Sequence, residues 1–227
     1  MKNIVIQGLG FVGSALAVAI ASRLDNLNEP FFNVTGVELP SETGLNITYC
    51  INSGQFPFKC NDKKLSFELE KAVARGNLKA TNETSAYSKA EIVVVSINCD
   101  MENKNGQLRI TMDRFIDSVK QIAEKINEDT LLVIESTVPP GTCNKIIFPI
   151  FKEVFNRRKL DLRNFYLAHS YERVMPGENY LDSIINYWRV YSGINDKSAD
   201  KCEGFLRQFI NTADYPLTRL SSTIASE

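Results

Sequence analysis

The 227-residue sequence has no apolar run approaching the roughly 20 residues that a bilayer-spanning helix needs. Its start passes from Met1-Lys2 straight into a strand-like segment with no small-residue cleavage site, so it does not read as a signal peptide. Charge of either sign is not in surplus: 27 acidic residues face 26 basic ones, leaving no positive field for nucleic acid or a membrane surface. There is no C-x-x-C pair. Cys50, Cys60, Cys99, Cys143 and Cys202 are scattered and odd in number, which fits free thiols in a reducing cytoplasm better than disulfides or a zinc site, and no metal is expected. Histidine occurs once, as His169. Internal repeats and low-complexity tracts are absent. What remains is an ordinary soluble composition, 44% hydrophobic and 23% charged, with enough apolar material for a real core.

Strand and helix signals alternate along the chain. Apolar, β-branched runs predict strands over 2–7, 33–38, 90–97, 130–136, 165–170, 188–192 and 216–220. Helices are expected over 11–24, 62–75, 144–156 and 196–211. The clearest helical stripe is Met112, Phe115, Ile116, Val119, Ile122, Ala123 and Ile126. Such alternation with short connections predicts an α/β fold, a doubly wound and mostly parallel sheet of Rossmann type. The irregular stretches at 39–58, 100–109 and 171–180 are site candidates, because open α/β sheets bind ligands beyond the carboxyl ends of their strands.

Gly8-Leu9-Gly10-Phe11-Val12-Gly13 follows the first strand and opens the first helix. In that context Gly8 makes a tight turn, Gly10 lets a pyrophosphate approach the backbone, and Gly13 lets the helix pack against the sheet. The helix N-terminus supplies unpaired amides to the phosphates. Glu38 ends the second strand, where a carboxylate accepts hydrogen bonds from the adenosine ribose and repels a 2′-phosphate. The expected cofactor is therefore NAD rather than NADP. The 25 residues from Gly13 to Glu38 accommodate a polar insertion over 25–33. A ligand-free glycine turn and a solvated strand-end acid are the plainer alternatives.

Three further stretches are Ile51-Asn-Ser-Gly-Gln-Phe-Pro-Phe58, Glu135-Ser-Thr-Val-Pro-Pro-Gly-Thr142 and His169-Ser-Tyr-Glu-Arg-Val-Met-Pro-Gly-Glu178. Together with the glycine turn, in this order, they resemble the UDP-glucose/GDP-mannose dehydrogenase family, most of all members acting on UDP-N-acetylated sugars. The resemblance implies oxidation of a sugar nucleotide at C6 to the carboxylate with two NAD in succession. It also implies an aldehyde adduct on a cysteine that becomes a thioester and is hydrolysed. Phe11 and Val12 would line the pyrophosphate turn, and Cys99 stands near the dinucleotide where the family usually has threonine. Thr137 corresponds to a threonine beside the nicotinamide that helps hold a catalytic water. Glu172 corresponds to the glutamate at the reacting carbon, with Tyr171 replacing the proline common before it. Read from the residues alone, Thr137 is a strand-ending hydroxyl and Glu172 with Arg173 a surface ion pair. His169, in an apolar strand, is expected to be structural.

The family's nucleophilic cysteine and essential lysine match nothing here. The resemblance thus places residues 1–220 in an NAD-binding domain and 221–227 at the start of an interdomain helix. A fragment of this kind is expected to bind NAD without turning over a sugar nucleotide. The full-length enzyme would be a homodimer, and the fragment would be free to stand as a monomer. Use of the product in polysaccharide biosynthesis is an implication of the family. Two rivals stay open: a 3-hydroxyacid or 6-phosphogluconate type dehydrogenase, and a non-catalytic NAD(H)-sensing module.

Overall fold

The computed structural model describes residues 1–104 and 107–227, with side chains outside 100–109. The elements run β1 (Lys2–Gln7), α1 (Phe11–Ala21), β2 (Phe32–Val37), α2 (Glu42–Asn52), α3 (Lys63–Arg75), β3 (Leu78–Thr81), β4 (Ile92–Val95), β5 (Asp100–Lys104), β6 (Gln107–Thr111) and α4 (Asp113–Ala123). There follow β7 (Leu131–Ile134), α5 (Phe148–Arg158), β8 (Tyr166–His169), α6 (Tyr180–Ile185), β9 (Val190–Gly193), α7 (Asp196–Phe209), β10 (Thr218–Arg219) and α8 (Thr223–Ser226).

Among the described residues one sheet has eight strands in the order β10-β9-β8-β7-β4-β1-β2-β3. All its pairings are parallel except β8 with β9. The chain winds outward from β1 through β2 and β3, then returns to place β4 on the other side of β1. That reversal opens a crevice at the carboxyl ends of β1 and β4.

Strand residues alternate between two cores, as a pleated sheet covered on both faces requires. Ile4, Ile6, Val34, Val94 and Val133 pack with α1, α3, α6 and α7. Val5, Val93, Val95, Leu132 and Ile134 pack with α4 and α5. In α1 every residue from Gly13 to Ala21 is buried, which explains its alanine-rich, uniformly apolar composition. In α4 the buried Phe115, Val119, Ile122 and Ala123 are the stripe read from the sequence.

Several elements differ from the sequence reading. The stretch 39–58 is not wholly irregular, because it contains α2. Leu45 and Tyr49 of that helix are exposed, and its buried stripe is carried by Ile47 and Ile51. The Ser41 hydroxyl caps α2 through the Gly44 amide at 3.1 Å. The strand β3, Leu78-Lys-Ala-Thr81, lacks the apolar, β-branched run that marked the other short strands. The stretch 100–109 was expected to be irregular, yet β5 and β6 pair antiparallel there; its residues 105–106 lie outside the described ones. Helix α1 stops at Ala21, and the polar insertion is a turn in which the Asp25 carboxylate accepts from the Leu27 and Glu29 amides. The stretch 171–178 has no helix or strand.

Candidate functional site

The crevice at the reversal is a cleft of about 1040 Å³. One wall begins at the glycine turn. Gly8 has φ +89°, and a Cβ there would stand 2.6 Å from the Ser96 carbonyl oxygen. A Cβ on Gly13 would stand 1.9 Å from the Gly8 carbonyl oxygen, so the turn folds directly onto the first coil of α1. Gly10 is different: nothing lies within 4 Å of its Cβ position, and it lines the cleft. Protein packing does not demand glycine at that position; a ligand pressed against the backbone would. No side chain caps α1, which leaves its first amides without a side-chain partner, and its first residues, Phe11 and Val12, line the cleft. Phe11 is stacked on Phe58, with ring centroids 4.3 Å apart.

Glu38 is half-buried beside this turn. Its Oε2 accepts from the Leu9 amide at 2.7 Å and its Oε1 from the Leu39 amide at 2.9 Å. One oxygen thus ties the acid to the glycine turn and the other to its own following amide, and each keeps a further lone pair for a ligand hydroxyl. The pattern suits the chemistry of a ribose, and the cleft as a whole suits a dinucleotide.

Across β1, the ends of β4 and β7 are tied together. The Ser136 hydroxyl accepts from the Ile97 amide at 2.9 Å and donates to the Val95 carbonyl at 3.2 Å. Beyond it Thr137 is exposed to the cleft. Glu172 is half-buried in the loop after β8; its Oε2 accepts from the Val174 amide at 2.5 Å. Behind Thr137 the buried Glu135 carboxylate pairs with Arg189. Burial pushes the Glu135 carboxyl above the usual range, Arg189 opposes this, and the nearby Glu172 charge adds to it.

A family model described as the UDP-glucose/GDP-mannose dehydrogenase family, NAD binding domain, matches residues 2–210. The chain belongs to that family. Its cofactor is NAD, and the match favours this family over the hydroxyacid alternative. The chain is 30% identical over 220 residues to a UDP-N-acetyl-D-mannosamine dehydrogenase of Methanococcus vannielii, covering 95% of this chain and 44% of that protein. It is 27% identical over 208 residues to the Pyrococcus horikoshii enzyme of the same name, covering 92% and 45%. The crystal structure of an NDP-N-acetyl-D-galactosaminuronic acid dehydrogenase from Methanosarcina mazei superimposes with TM-score 0.87 at 25% identity, covering all of this chain and 45% of that one. The chain therefore spans somewhat under half the length of these relatives.

The family domain brings Gly8, Gly10, Phe11, Val12, Glu38, Cys99, Thr137 and Glu172 to one cleft, and Gly13 sits behind it as packing. His169 does not line the cleft. It is buried, with Nδ1 2.9 Å from the Ser226 hydroxyl and Nε2 3.4 Å from the Ser136 carbonyl. The Ser226 hydroxyl also donates to the Thr223 carbonyl at 3.0 Å and lies 2.6 Å from the Ser192 hydroxyl, so the ring belongs to a buried polar network. Burial holds the imidazole below its ordinary value, against the pull of Glu227 and the Ser136 carbonyl. The ring is structural, as expected.

Cys143 begins a helical turn without the reactivity that such a place can confer. A position at a helix start can lower a thiol pKa, yet this thiol is fully buried and is pushed well above its usual value, first by burial and then by Glu227. The Glu227 carboxylate occupies the amides of Gly141 and Cys143 at 2.5 and 2.7 Å. The cleft residues missed in the sequence are Glu135, Ser136, Asn98 and the polar face of α4, Asp117, Ser118 and Gln121. The amphipathic pattern marked only the buried side of α4, and no local signal told which polar residues would meet the ligand. Among the described residues no group of three or more His, Cys, Asp or Glu could hold a metal ion, and no helix is long and apolar enough to cross a membrane.

Proposed function

We propose that this chain is the cofactor half of a nucleotide-sugar 6-dehydrogenase acting on a UDP-N-acetylated sugar. The observation that carries the reading is convergence: the glycine turn, Glu38, Thr137 and Glu172 come from four strand ends and share one cleft across the reversal of strand order. The names of the relatives support the substrate class. NAD supplies the hydride acceptor. The amides at the start of α1 hold the pyrophosphate, with Phe11 and Val12 beside it and Cys99 along the dinucleotide. Glu38 accepts hydrogen bonds from the adenosine ribose hydroxyls, and its charge excludes a 2′-phosphate. On the β4 and β7 side, the Thr137 hydroxyl orients a water at the reacting carbon. Glu172, a half-buried base, takes the proton of the sugar's C6 alcohol.

The relatives devote more than half their length to parts that this chain does not contain. Those parts supply the remaining catalytic groups and the homodimer contact in this reading. Residues 1–220 act as the NAD-binding domain, and 221–227, with α8 as a single turn, begin the connection to the rest. The isolated chain binds NAD and does not oxidise a UDP-sugar. Calorimetric titration with NAD and NADP tests the cofactor chemistry. NAD binds more tightly, and Glu38→Ala narrows the difference by about tenfold or more, the worth of a single hydrogen bond to a charged acceptor. Equal binding of both cofactors to the unaltered chain would refute the role of Glu38. Turnover of UDP-N-acetyl-D-mannosamine by the isolated chain would refute the division of labour.

A further inference from the structure

The Glu135–Arg189 pair lies at the nicotinamide side of the cleft and is not self-contained. Both side chains are 3% exposed. Glu135 Oε1 accepts from Arg189 Nη1, while Glu135 Oε2 and Arg189 Nη2 have no hydrogen-bond partner among the described residues and are themselves buried. Arg189 reaches the pair from the start of β9, its guanidinium 6.0 Å from the Phe209 ring, and does not line the cleft; Glu135 does. A buried carboxylate oxygen without a donor is costly, and such atoms in folded proteins mark the place of a water or a ligand group. The pair meets through one oxygen and one nitrogen only, and of its two partners Glu135 alone lines the cleft, so its Oε2 is the free atom nearest a ligand.

Topology says which ligand group comes there. With the pyrophosphate at the start of α1 and the adenosine toward Glu38 and β2, the other nucleoside lies over β4 and β7. Glu135 is the residue immediately after β7, two before Thr137. The nicotinamide carries one amide NH₂, a donor, and its ring is cationic when oxidised and neutral when reduced.

We propose that Glu135 is a positioning residue for the nicotinamide: Oε2 accepts a hydrogen bond from the carboxamide, and the carboxylate charge favours the oxidised ring over the reduced one. The inference rests on NAD occupying this cleft and not on the identity of the sugar. It assigns to the Glu135-Ser-Thr sequence a function beyond the threonine hydroxyl, because the same strand end then orients the ring that the substrate must face.

Dissociation constants for NAD⁺, NADH and 3-acetylpyridine adenine dinucleotide, measured by calorimetry with the purified chain, test it. The analogue replaces the carboxamide NH₂ by a methyl group, and the unaltered chain binds it about tenfold more weakly than NAD⁺. In Glu135→Gln the side-chain oxygen stays with Arg189 and an NH₂ group faces the cleft. NAD⁺ then binds about tenfold more weakly, and the NAD⁺/NADH affinity ratio moves toward NADH by about fivefold. A purely structural role would weaken both redox forms alike. Should Glu135→Gln fail to fold around an unbalanced Arg189, the neutral pair Glu135→Gln with Arg189→Gln carries the ratio measurement, and the analogue comparison needs no variant. Equal affinity of the unaltered chain for NAD⁺ and the analogue overturns the hydrogen bond. An unchanged NAD⁺/NADH ratio in the variants overturns the charge effect. Failure of NAD⁺ to bind the unaltered chain instead refutes the cofactor site itself.

Discussion

Replacing glycine by alanine at two positions of the phosphate turn should separate binding from stability. At Gly10 the backbone has φ −65° and ψ −168°, a conformation open to alanine, and nothing stands within 4 Å of the new Cβ. Loss of glycine at an N-cap costs about 0.5 kcal/mol, and restriction of the unfolded chain returns a similar amount, about 0.4–1 kcal/mol. The net change should stay within about 0.5 kcal/mol, a shift of no more than about 2 °C in melting temperature for a chain of this size. The methyl would nonetheless occupy the space over the α1 amides where the pyrophosphate comes closest. NAD affinity should fall about tenfold or more, the lower range of an overpacked contact. At Gly13 the same methyl meets the Gly8 carbonyl oxygen at 1.9 Å, backbone that cannot rotate away. That variant should lose about 3 kcal/mol or more, roughly 6–12 °C. Scanning calorimetry gives the stabilities and isothermal titration the affinities. Gly10→Ala binding NAD like the unaltered chain would refute the seat of the pyrophosphate, and a Gly13→Ala variant of full stability would refute the close approach of turn and helix.

Other consequences concern the frame around the cleft. Asp62 is buried and caps α3 through the Lys64 and Leu65 amides at 2.8 and 3.0 Å, while its other oxygen accepts from the Leu181 amide of α6 at 2.8 Å. Asp62→Ala should cost about 2 kcal/mol in urea unfolding, for a lost cap plus a stranded amide; a change under a few tenths would dismiss the bridge. His169 is held below its unfolded value near 6.5, so the unfolded chain binds the extra proton. Its contribution is complete above that value and is lost as pH falls through the folded one. The stability difference between the unaltered chain and His169→Gln should therefore shrink from pH 7.5 to 5.5, at no more than about 1.4 kcal/mol per pH unit, and constancy of that difference would disprove it. Iodoacetamide should spare Cys143 and Cys202, both fully buried with thiols pushed up by burial, until denaturant is added. Half-buried Cys99 should react sooner, and NAD should protect it, as peptide mass spectrometry of labelled chain can establish.

Legibility in the sequence followed the range of the forces involved. The turn at Gly8, Gly10 and Gly13 was readable because its demands are steric and local. The stripe of α4 was readable because burial on one face of a helix imposes a period. Glu38 was readable from its place at a strand end. Thr137, Glu172 and Cys99 were not recoverable from local physics; they came from resemblance, since a threonine before a proline or an acid before an arginine has plainer meanings. Helix α2 escaped because Leu45 and Tyr49 point to solvent and blur the period, and β3 because Leu78-Lys-Ala-Thr81 carries no apolar, β-branched run. The environment of Cys143 was hidden for a related reason. The local rule concerns a helix terminus in water, whereas here a carboxylate 84 residues away fills the same amides.

By itself, the order of residues determined the alternation of strand and helix, the bare backbone of the phosphate turn and the acid at the end of β2. These depend on neighbours within one or two turns of chain, so they survive in the linear pattern. Tertiary structure alone decided that β4 lies beside β1 and that the ends of β1, β2, β4 and β7 share one crevice. It also decided that Glu135 meets Arg189 with one oxygen left over. Those facts depend on distances between segments tens of residues apart, which only packing of the sheet between its two layers of helices can set.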